Sequence, residues 1–413
     1  MLRKKCDEVR LPHFWCKYVM SEYPSLATLA VNYCSQQPMC YLLSLQKSFS
    51  AFYCKFCSPN YNPNSSEIDI FLDSLELPIL SIEQTDRLDA PLTIGNCPHL
   101  FLCQITKSPG PDGLPAELVT PTISGLGTGV CVDVLWAACV LKDPIYPSFY
   151  HPLSLNSDLK IITKALATRI ETVTPILIHP NQTGFIKNRN ASDKIRRLFN
   201  LINLAQQKLT KTIIVSLDAE KAFDKVNWTF LFCTLRRFGF RELFIHWIQP
   251  LYTSPRPTIS TNGIRSQSFI LQQGTRQGCP LSPSLFAIFI KPLTAAIRQN
   301  NIIKVLQDTY SEHKISLYAD DLLLYLQDPY NSLEETLHII NTFSKISNFT
   351  INWNKSTILP LSEDCSNRTS SGQEIEVQSR RVAYCFMDCL GFGSSCTFPF
   401  DYTTWFYGFK LTQ

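Results

Sequence analysis

Glycine is scarce: the chain has 15 in 413 residues. Glycine-rich linkers are therefore not what organises it. No stretch reaches the roughly 18 apolar residues that a membrane-spanning helix needs. The nearest, Val130–Leu141, is too short and carries Asp133. The first residues, MLRKKCDEVR, lack the apolar core of a secretion signal. Cysteines number 16, but the C-x-x-C of Cys54 and Cys57 has no second pair and no histidine pair at finger spacing. The expectation is an intracellular protein with reduced thiols, no disulfide partner and no membrane contact. Acids are scarcest over Phe232–Asn300, where eight Lys and Arg accompany one acid, Glu242. Asn156–Asn200 holds eight bases and three acids, whereas Glu67–Asp89 holds seven acids and one base, Arg87. Net charge is only +4, so the basic character is concentrated mid-chain. That distribution suits a polyanion, although ordinary solvated helix faces would give the same counts.

What is present can build a core. The chain is 45% hydrophobic and 12% aromatic, with length for two or three domains. Residues 1–65 show no convincing period and close on the breaker cluster SPNYNPN, so they are expected to be weakly structured. Ser66–Leu77 reads as a short helix capped by Ser66, with Ile68, Phe71, Leu72 and Leu75 on one face. Thr120–Tyr150 is poorly patterned, and its three closely spaced glycines lack the Lys-Ser/Thr ending of a phosphate loop. From about residue 152 the pattern becomes regular. Helices are expected over Asp158–Ile170, Ala191–Lys208, Trp228–Phe238, Arg241–Tyr252, Leu281–Gln299 and Leu333–Ser347. Strands are expected over Thr212–Leu217, Thr258–Thr261, Ser268–Leu271 and Ser356–Leu359. The order predicts an α+β sheet with helices on one face. After Pro360 the period fails again, leaving 361–413 as an unassigned tail.

Three segments carry candidate chemistry. In Lys314–Leu326, KISLYADDLLLYL, Asp320 and Asp321 sit between two apolar runs that read as a tight hairpin. Two adjacent carboxylates repel unless a cation lies between them, which points to a divalent metal; an Asx-type turn accounts for the pair as well. In Val215–Val226, VSLDAEKAFDKV, Asp218 ends the buried strand, in the place of a metal ligand or a strand-end cap. A strand ending in Asp beside a hairpin bearing Asp-Asp can converge three carboxylates, as in-line attack at phosphorus with two divalent ions requires. In Gly274–Pro283, GTRQGCPLSP, Gly278 allows close backbone approach, Gln277 offers donors and an acceptor, and Arg276 offers a charged fork. A plain loop leading into a helix would also fit.

SLDAEKAFDKV, GTRQGCPLSPSLF and LYADD, in this order, resemble the palm motifs of reverse transcriptases of LINE-type, non-LTR retrotransposons. KSPGPDGLPAE, DLKIITKALATRI, HPNQTGFIKNRNASDKIRRL and INWNKS match the same subclass. The likeness covers roughly 66–360 and implies a right-hand polymerase fold. Its fingers would be interrupted around 95–150 and its palm would span about 200–330, with irregular extensions at both ends. It implies an RNA-directed DNA polymerase that binds RNA template, DNA primer and dNTP, using two Mg²⁺ ions or Mn²⁺ in their place. Asp218, Asp320 and Asp321 match the catalytic, metal-binding carboxylates. Phe223 matches the bulky residue that excludes a ribose 2′-OH, although a core Phe would look the same. Gln277 and Gly278 match the loop beside the incoming nucleotide, Lys355 a later nucleotide-side lysine, and Arg276 would reach template or primer. The implied life cycle places the protein in cytoplasm and nucleus.

The chain also departs from the family. An I-P-K-P-G stretch is missing from Thr120–Ile145, and His151 stands where an Arg is expected before P-L-S-L. A histidine is mostly neutral at pH 7 and cannot make the guanidinium fork to a triphosphate. No Y-L-G motif follows INWNKS. The alternative to a working polymerase is thus a catalytically silent remnant that at most binds nucleic acid.

Overall fold

The computed structural model describes residues 38–59, 61, 63–91, 131–138, 150–154, 157–208, 211–261, 264–307 and 312–361. The expectations for 1–37, for most of 95–150 and for 362–413 lie outside these residues.

Four strands form the central sheet: β3 (Thr212–Leu217), β8 (Ile315–Tyr318), β9 (Asp321–Gln327) and β10 (Thr357–Pro360), in the order β10-β3-β9-β8, all antiparallel. Side chains alternate along a strand, so the sheet sorts its residues onto two faces. Ile213, Val215, Leu217, Leu322, Leu324 and Leu326 join the main core. Ile214, Leu323 and Tyr325 join a second cluster on the other face.

Helices α6 (Trp228–Arg237), α8 (Ser282–Gln299) and α9 (Pro329–Ser347) supply the main core. Each has an apolar stripe at helical spacing: Phe230 and Leu231, Phe286 and Phe289, and Phe343 are all at most 1% exposed. Their rings meet edge to face, Phe230 lying 5.5 Å from Phe289 and 5.2 Å from Phe343. The second face is covered by α5 (Ala191–Lys208), through Leu198, Leu201 and Ala205. This corrects the expectation of helices on one face only. The continuous apolar run Leu322–Leu326, buried at every position, is the pattern of a strand covered on both sides.

Helix α4 (Ser157–Leu177) runs a full two turns beyond the expected Ile170 and tolerates Pro175 in its last turn. Helix α7 (Glu242–Ile248) is shorter than expected, because Pro250 belongs to a 3₁₀ turn, Gln249–Tyr252. A second sheet has the order β2-β1-β4-β5, from β1 (Cys131–Ala138), β2 (Tyr150–Ser154), β4 (Arg256–Thr261) and β5 (Ile264–Arg265). The strand expected at Ser268–Leu271 is not one: its amides bond back to Pro257 and Pro255 outside any ladder. A small ribbon, β6 (Leu306–Gln307) and β7 (Glu312–His313), precedes β8.

The N-terminal expectation needs the largest correction. Pro38–Phe56 forms a 19-residue helix, α1, whose Phe49 and Tyr53 are buried together with Cys57, the residue just after it. Burial pushes the Cys57 thiol up to about 12, while Cys54 is exposed, so the C-x-x-C pair diverges. Helix α2 (Ser65–Asp73) is capped by Asn64 rather than Ser66. Helix α3 (Ile82–Asp89) opens with a complete capping box, Ser81 with Gln84. Among the described residues, no helix is long and apolar enough to cross a membrane.

Candidate active site

The candidate site is built at one rim of the central sheet. Leu217 of β3 pairs with Leu322 of β9. Asp218 is one residue further out and Asp321 is the first residue of β9, so the register sets them on neighbouring strand ends. Tyr318 pairs with Asp321, which leaves Ala319 and Asp320 as a two-residue turn. Ala319 adopts φ 55°, a left-handed conformation that costs a residue with a Cβ about 1–2 kcal/mol.

An adjoining segment holds that turn in place. Asn181–Thr183 lies alongside β8: the Leu317 N–H donates to the Asn181 carbonyl at 2.9 Å, and the Thr183 N–H to the Leu317 carbonyl at 3.0 Å. Gln182 Nε2 donates to the Ala319 carbonyl at 3.0 Å. Gly184 comes so close that a Cβ there would lie 2.1 Å from the Ala319 nitrogen. The INWNKS segment holds Asp218 in turn. The Asn352 N–H donates to the Asp218 carbonyl at 2.8 Å, and the Asp218 N–H donates to Ser356 Oγ at 3.2 Å.

The carboxylates sense one another. Burial, then the neighbouring Asp321 charge, pushes Asp320 up to about 6; Asp218 adds to this, and the turn's own N–H and Lys194 oppose it. Asp218 is also raised, mainly by burial, with Asp321 acting in the same direction and Lys355 and the Asn352 side chain against it. Lys355 Nζ stands 3.8 Å from Asp218 Oδ2 and is 61% exposed, so the pair adds little to stability. Lys194, 4% exposed, donates Nζ to the Asp321 carbonyl at 3.3 Å and lies 6.0 Å from the Tyr318 ring.

The GTRQG loop joins the site through the turn after β3. Phe223 sits in a 3₁₀ turn, Ala222–Lys225, half-buried. Its ring stacks on Phe286 at 4.5 Å and meets Phe185 edge-on at 5.8 Å. The Phe223 carbonyl accepts from the Thr275 N–H at 2.6 Å and its hydroxyl at 3.1 Å. Gln277 Nε2 donates to Asp224 Oδ1 at 3.2 Å, and Gly278 takes φ 82° on the exposed side of the loop. Phe223, Gln277 and Gly278 thus share one connected unit.

Arg276 departs from expectation. It is 8% exposed and donates Nη2 to the Leu251 carbonyl at 2.7 Å. Its guanidinium is directed into the protein, which corrects the expectation that it reaches a template or primer. Sequence reasoning quoted the segments holding Lys194, Gln182 and Asn352 without assigning those residues a role. Lys194 and Gln182 donate to backbone carbonyls of the hairpin, and Asn352 holds Asp218 through both its N–H and its side chain; which backbone groups they reach is decided by the fold, not by local sequence.

The donor chemistry fits Mg²⁺ or Mn²⁺. The candidate ligands offer only carboxylate oxygens on adjacent strand ends and the turn between them, and Asp218 and Asp320 are both raised. Among the described residues, no three Asp, Glu, His or Cys side chains are already gathered as a closed ligand set.

The sheet rim brings Asp218 and Asp321 onto neighbouring strand ends, with Asp320 in the adjoining turn, an arrangement of separate carboxylates compatible with two-metal chemistry at phosphorus. The chain belongs to the reverse transcriptase (RNA-dependent DNA polymerase) family, whose model matches residues 141–384. It is similar to the transposon TX1 uncharacterized 149 kDa protein of Xenopus laevis, with 29% identity over 300 residues, 68% of this chain and 23% of that protein. It is similar also to the Pol polyprotein from the type-2 retrotransposable element R2DM of Drosophila melanogaster, 25% identical over 54% of this chain and 22% of that protein. The RNA-directed DNA polymerase from mobile element jockey of Drosophila funebris is 26% identical over 56% of this chain and 26% of its own length. The chain therefore spans about a quarter of the length of the curated relatives it matches.

Proposed function

We propose that this chain is the polymerase portion of a non-LTR retrotransposon reverse transcriptase, joining a dNTP to a primer 3′-OH opposite an RNA template. In this reading the central sheet is the palm of a right-hand polymerase, and the segments before α5 belong to its fingers. The observation that carries it is the β3–β9 register, which sets Asp218 beside Asp321 and one residue from Asp320. Asp218, Asp320 and Asp321 would hold two Mg²⁺ or Mn²⁺ ions. When bound, such ions neutralise charge on the phosphate and make the primer hydroxyl a better nucleophile.

The chain's own residues do the positioning. Phe223, backed by Phe286, walls off the space a ribose 2′-OH would need. Gln277 and Gly278 supply donors and close backbone approach on the nucleotide side. Lys355 brings a mobile cation to the Asp218 edge, suited to a phosphate oxygen or a leaving pyrophosphate. The basic central segments would grip RNA and DNA through phosphates. A cytoplasmic and nuclear location is part of the same reading.

The test is primer extension on poly(rA)–oligo(dT) with Mg²⁺. The expected result is incorporation by the wild-type chain and none by Asp320→Ala. A folded, RNA-binding wild-type protein that incorporates nothing would overturn the proposal. One observation favours that second reading, a silent remnant: His151, on β2, stands where the resemblance implies Arg.

A further inference from the structure

Lys221 lies between Asp218 and Phe223, and nothing above gives it a role. Its backbone is left-handed, φ 47° and ψ 51°. Its ammonium is enclosed by three rings of α1: Nζ is 4.9 Å from the centroid of Phe56, 5.4 Å from Phe52 and 5.7 Å from Tyr53. Phe52 and Phe56, one helical turn apart, are nearly parallel at 5.8 Å, and Tyr53 stands edge-on to both. The walls are thus built as a cage, the geometry that attracts a cation to ring faces.

The same helix end is fastened elsewhere. The Gln272 N–H donates to the Cys57 carbonyl at 3.2 Å. Gln273 Nε2 donates to the Phe56 carbonyl at 3.1 Å, and Asn348 Nδ2 donates to Gln273 Oε1 at 3.1 Å. Two residues on, Thr275 holds the Phe223 carbonyl. The end of α1 therefore touches the Lys221–Asp224 turn through its rings, and the carbonyls of Phe56 and the following Cys57 hold Gln273 and Gln272, the two residues that lead into the GTRQG loop. A strained turn persists only where its surroundings over-determine it.

We propose that α1 is a brace for the nucleotide pocket, and that Lys221 and Phe56 are positioning residues that set Phe223 through the caged turn. This rests on the reverse transcriptase reading for its consequence, and on the cage alone for its structural part. The turn carries two reporter amides, since the Glu220 N–H donates to the Thr350 carbonyl and the Asp224 N–H to the Lys221 carbonyl.

The experiment compares wild type, Phe52→Ala/Phe56→Ala, Lys221→Met and Lys221→Arg, each confirmed folded by circular dichroism. Hydrogen exchange at 220–224 should quicken at least tenfold in the double variant and in Lys221→Met, and stay near wild type in Lys221→Arg, which keeps a cation over the rings. In primer extension, the preference for dNTP over rNTP should fall at least tenfold in the first two, with the dNTP KM rising more than kcat falls. Unchanged exchange in a folded double variant overturns the brace. An equal loss for dNTP and rNTP overturns the positioning role, because generic destabilisation affects both alike. If the wild-type chain polymerises nothing, the polymerase reading fails by itself and the exchange result still decides the brace.

Discussion

Gly184→Ala is the sharpest perturbation available at the acidic hairpin. The new methyl carbon would sit 2.1 Å from the Ala319 nitrogen and 2.9 Å from its Cα, about 1.3 Å inside the 3.4 Å at which ordinary contact begins. Neither atom belongs to a flexible side chain, so backbone must move. The segment carrying Gly184 is joined to the hairpin by the Leu317–Asn181, Thr183–Leu317 and Gln182–Ala319 hydrogen bonds. Stretching or losing these, at about 1 kcal/mol each, gives an expected destabilisation of about 2–3 kcal/mol. The displaced atoms belong to the turn that carries Asp320, and a misplacement of about 1 Å at reacting groups costs on the order of 100-fold in rate. Urea unfolding followed by tryptophan fluorescence measures the first effect, and single-nucleotide primer extension the second. Gly278→Ala is the comparison: its φ of 82° predicts strain of about 1–2 kcal/mol with the hairpin unmoved. An unfolding midpoint for Gly184→Ala equal to wild type would refute the close approach itself, whatever the chain's activity.

Two further outcomes follow from the charges. His179 is pushed down to about 4, first by burial and then by Arg298, Lys291, Arg197 and Arg189. The unfolded chain therefore binds its proton first, so stability contributed by the neutral ring is present above about 6.5 and lost as pH falls toward 4. The ring is only half-buried, so screening reduces the loss to about 1 kcal/mol; His179→Gln should flatten the fall in urea midpoint between pH 7 and 4.5, and an unaltered fall would exclude this group. Arg276→Met should unfold at an equal or higher urea concentration, since it exchanges a buried cation for a side chain of similar length, and should leave RNA affinity unchanged; fluorescence anisotropy showing weakened RNA binding at unchanged stability would restore a template contact.

The placement of the candidate carboxylates was readable in the sequence because strand and charge patterns depend on residue type. TIIVSL followed by Asp218, and two acids inside an apolar hairpin, are patterns of strand and charge, and both appear where expected within a residue or two. Registers were not readable. Which strand stands beside β3 is decided by long-range pairing, so the adjacency of Asp218 and Asp321 emerges only in the fold. Arg276 shows the opposite failure: a guanidinium in a glycine-flanked loop looks like a ligand contact, yet burial and one carbonyl turn it inward. Helix α1 carries Phe49, Phe52, Tyr53 and Phe56 at helical spacing, but the Pro- and Asn-rich stretch that follows it masks that period. The capping box at Ser81 is an S-x-x-Q pattern in the sequence.

The packing of α2 and α3 extends the folding unit beyond the span that the family model matches. That match begins at residue 141. Yet Ile68, Leu72, Leu80 and Leu88 lie inside the main core at 0–7% exposure. Asp73 pairs with Arg237 at 2.9 Å and Asp86 with Arg241 at 2.5 Å. A fragment cut at residue 141 would lack these four aliphatic side chains and expose the core residues they cover; burying one aliphatic side chain is worth about 1.5–3 kcal/mol. An expression boundary drawn at residue 38 keeps that surface covered.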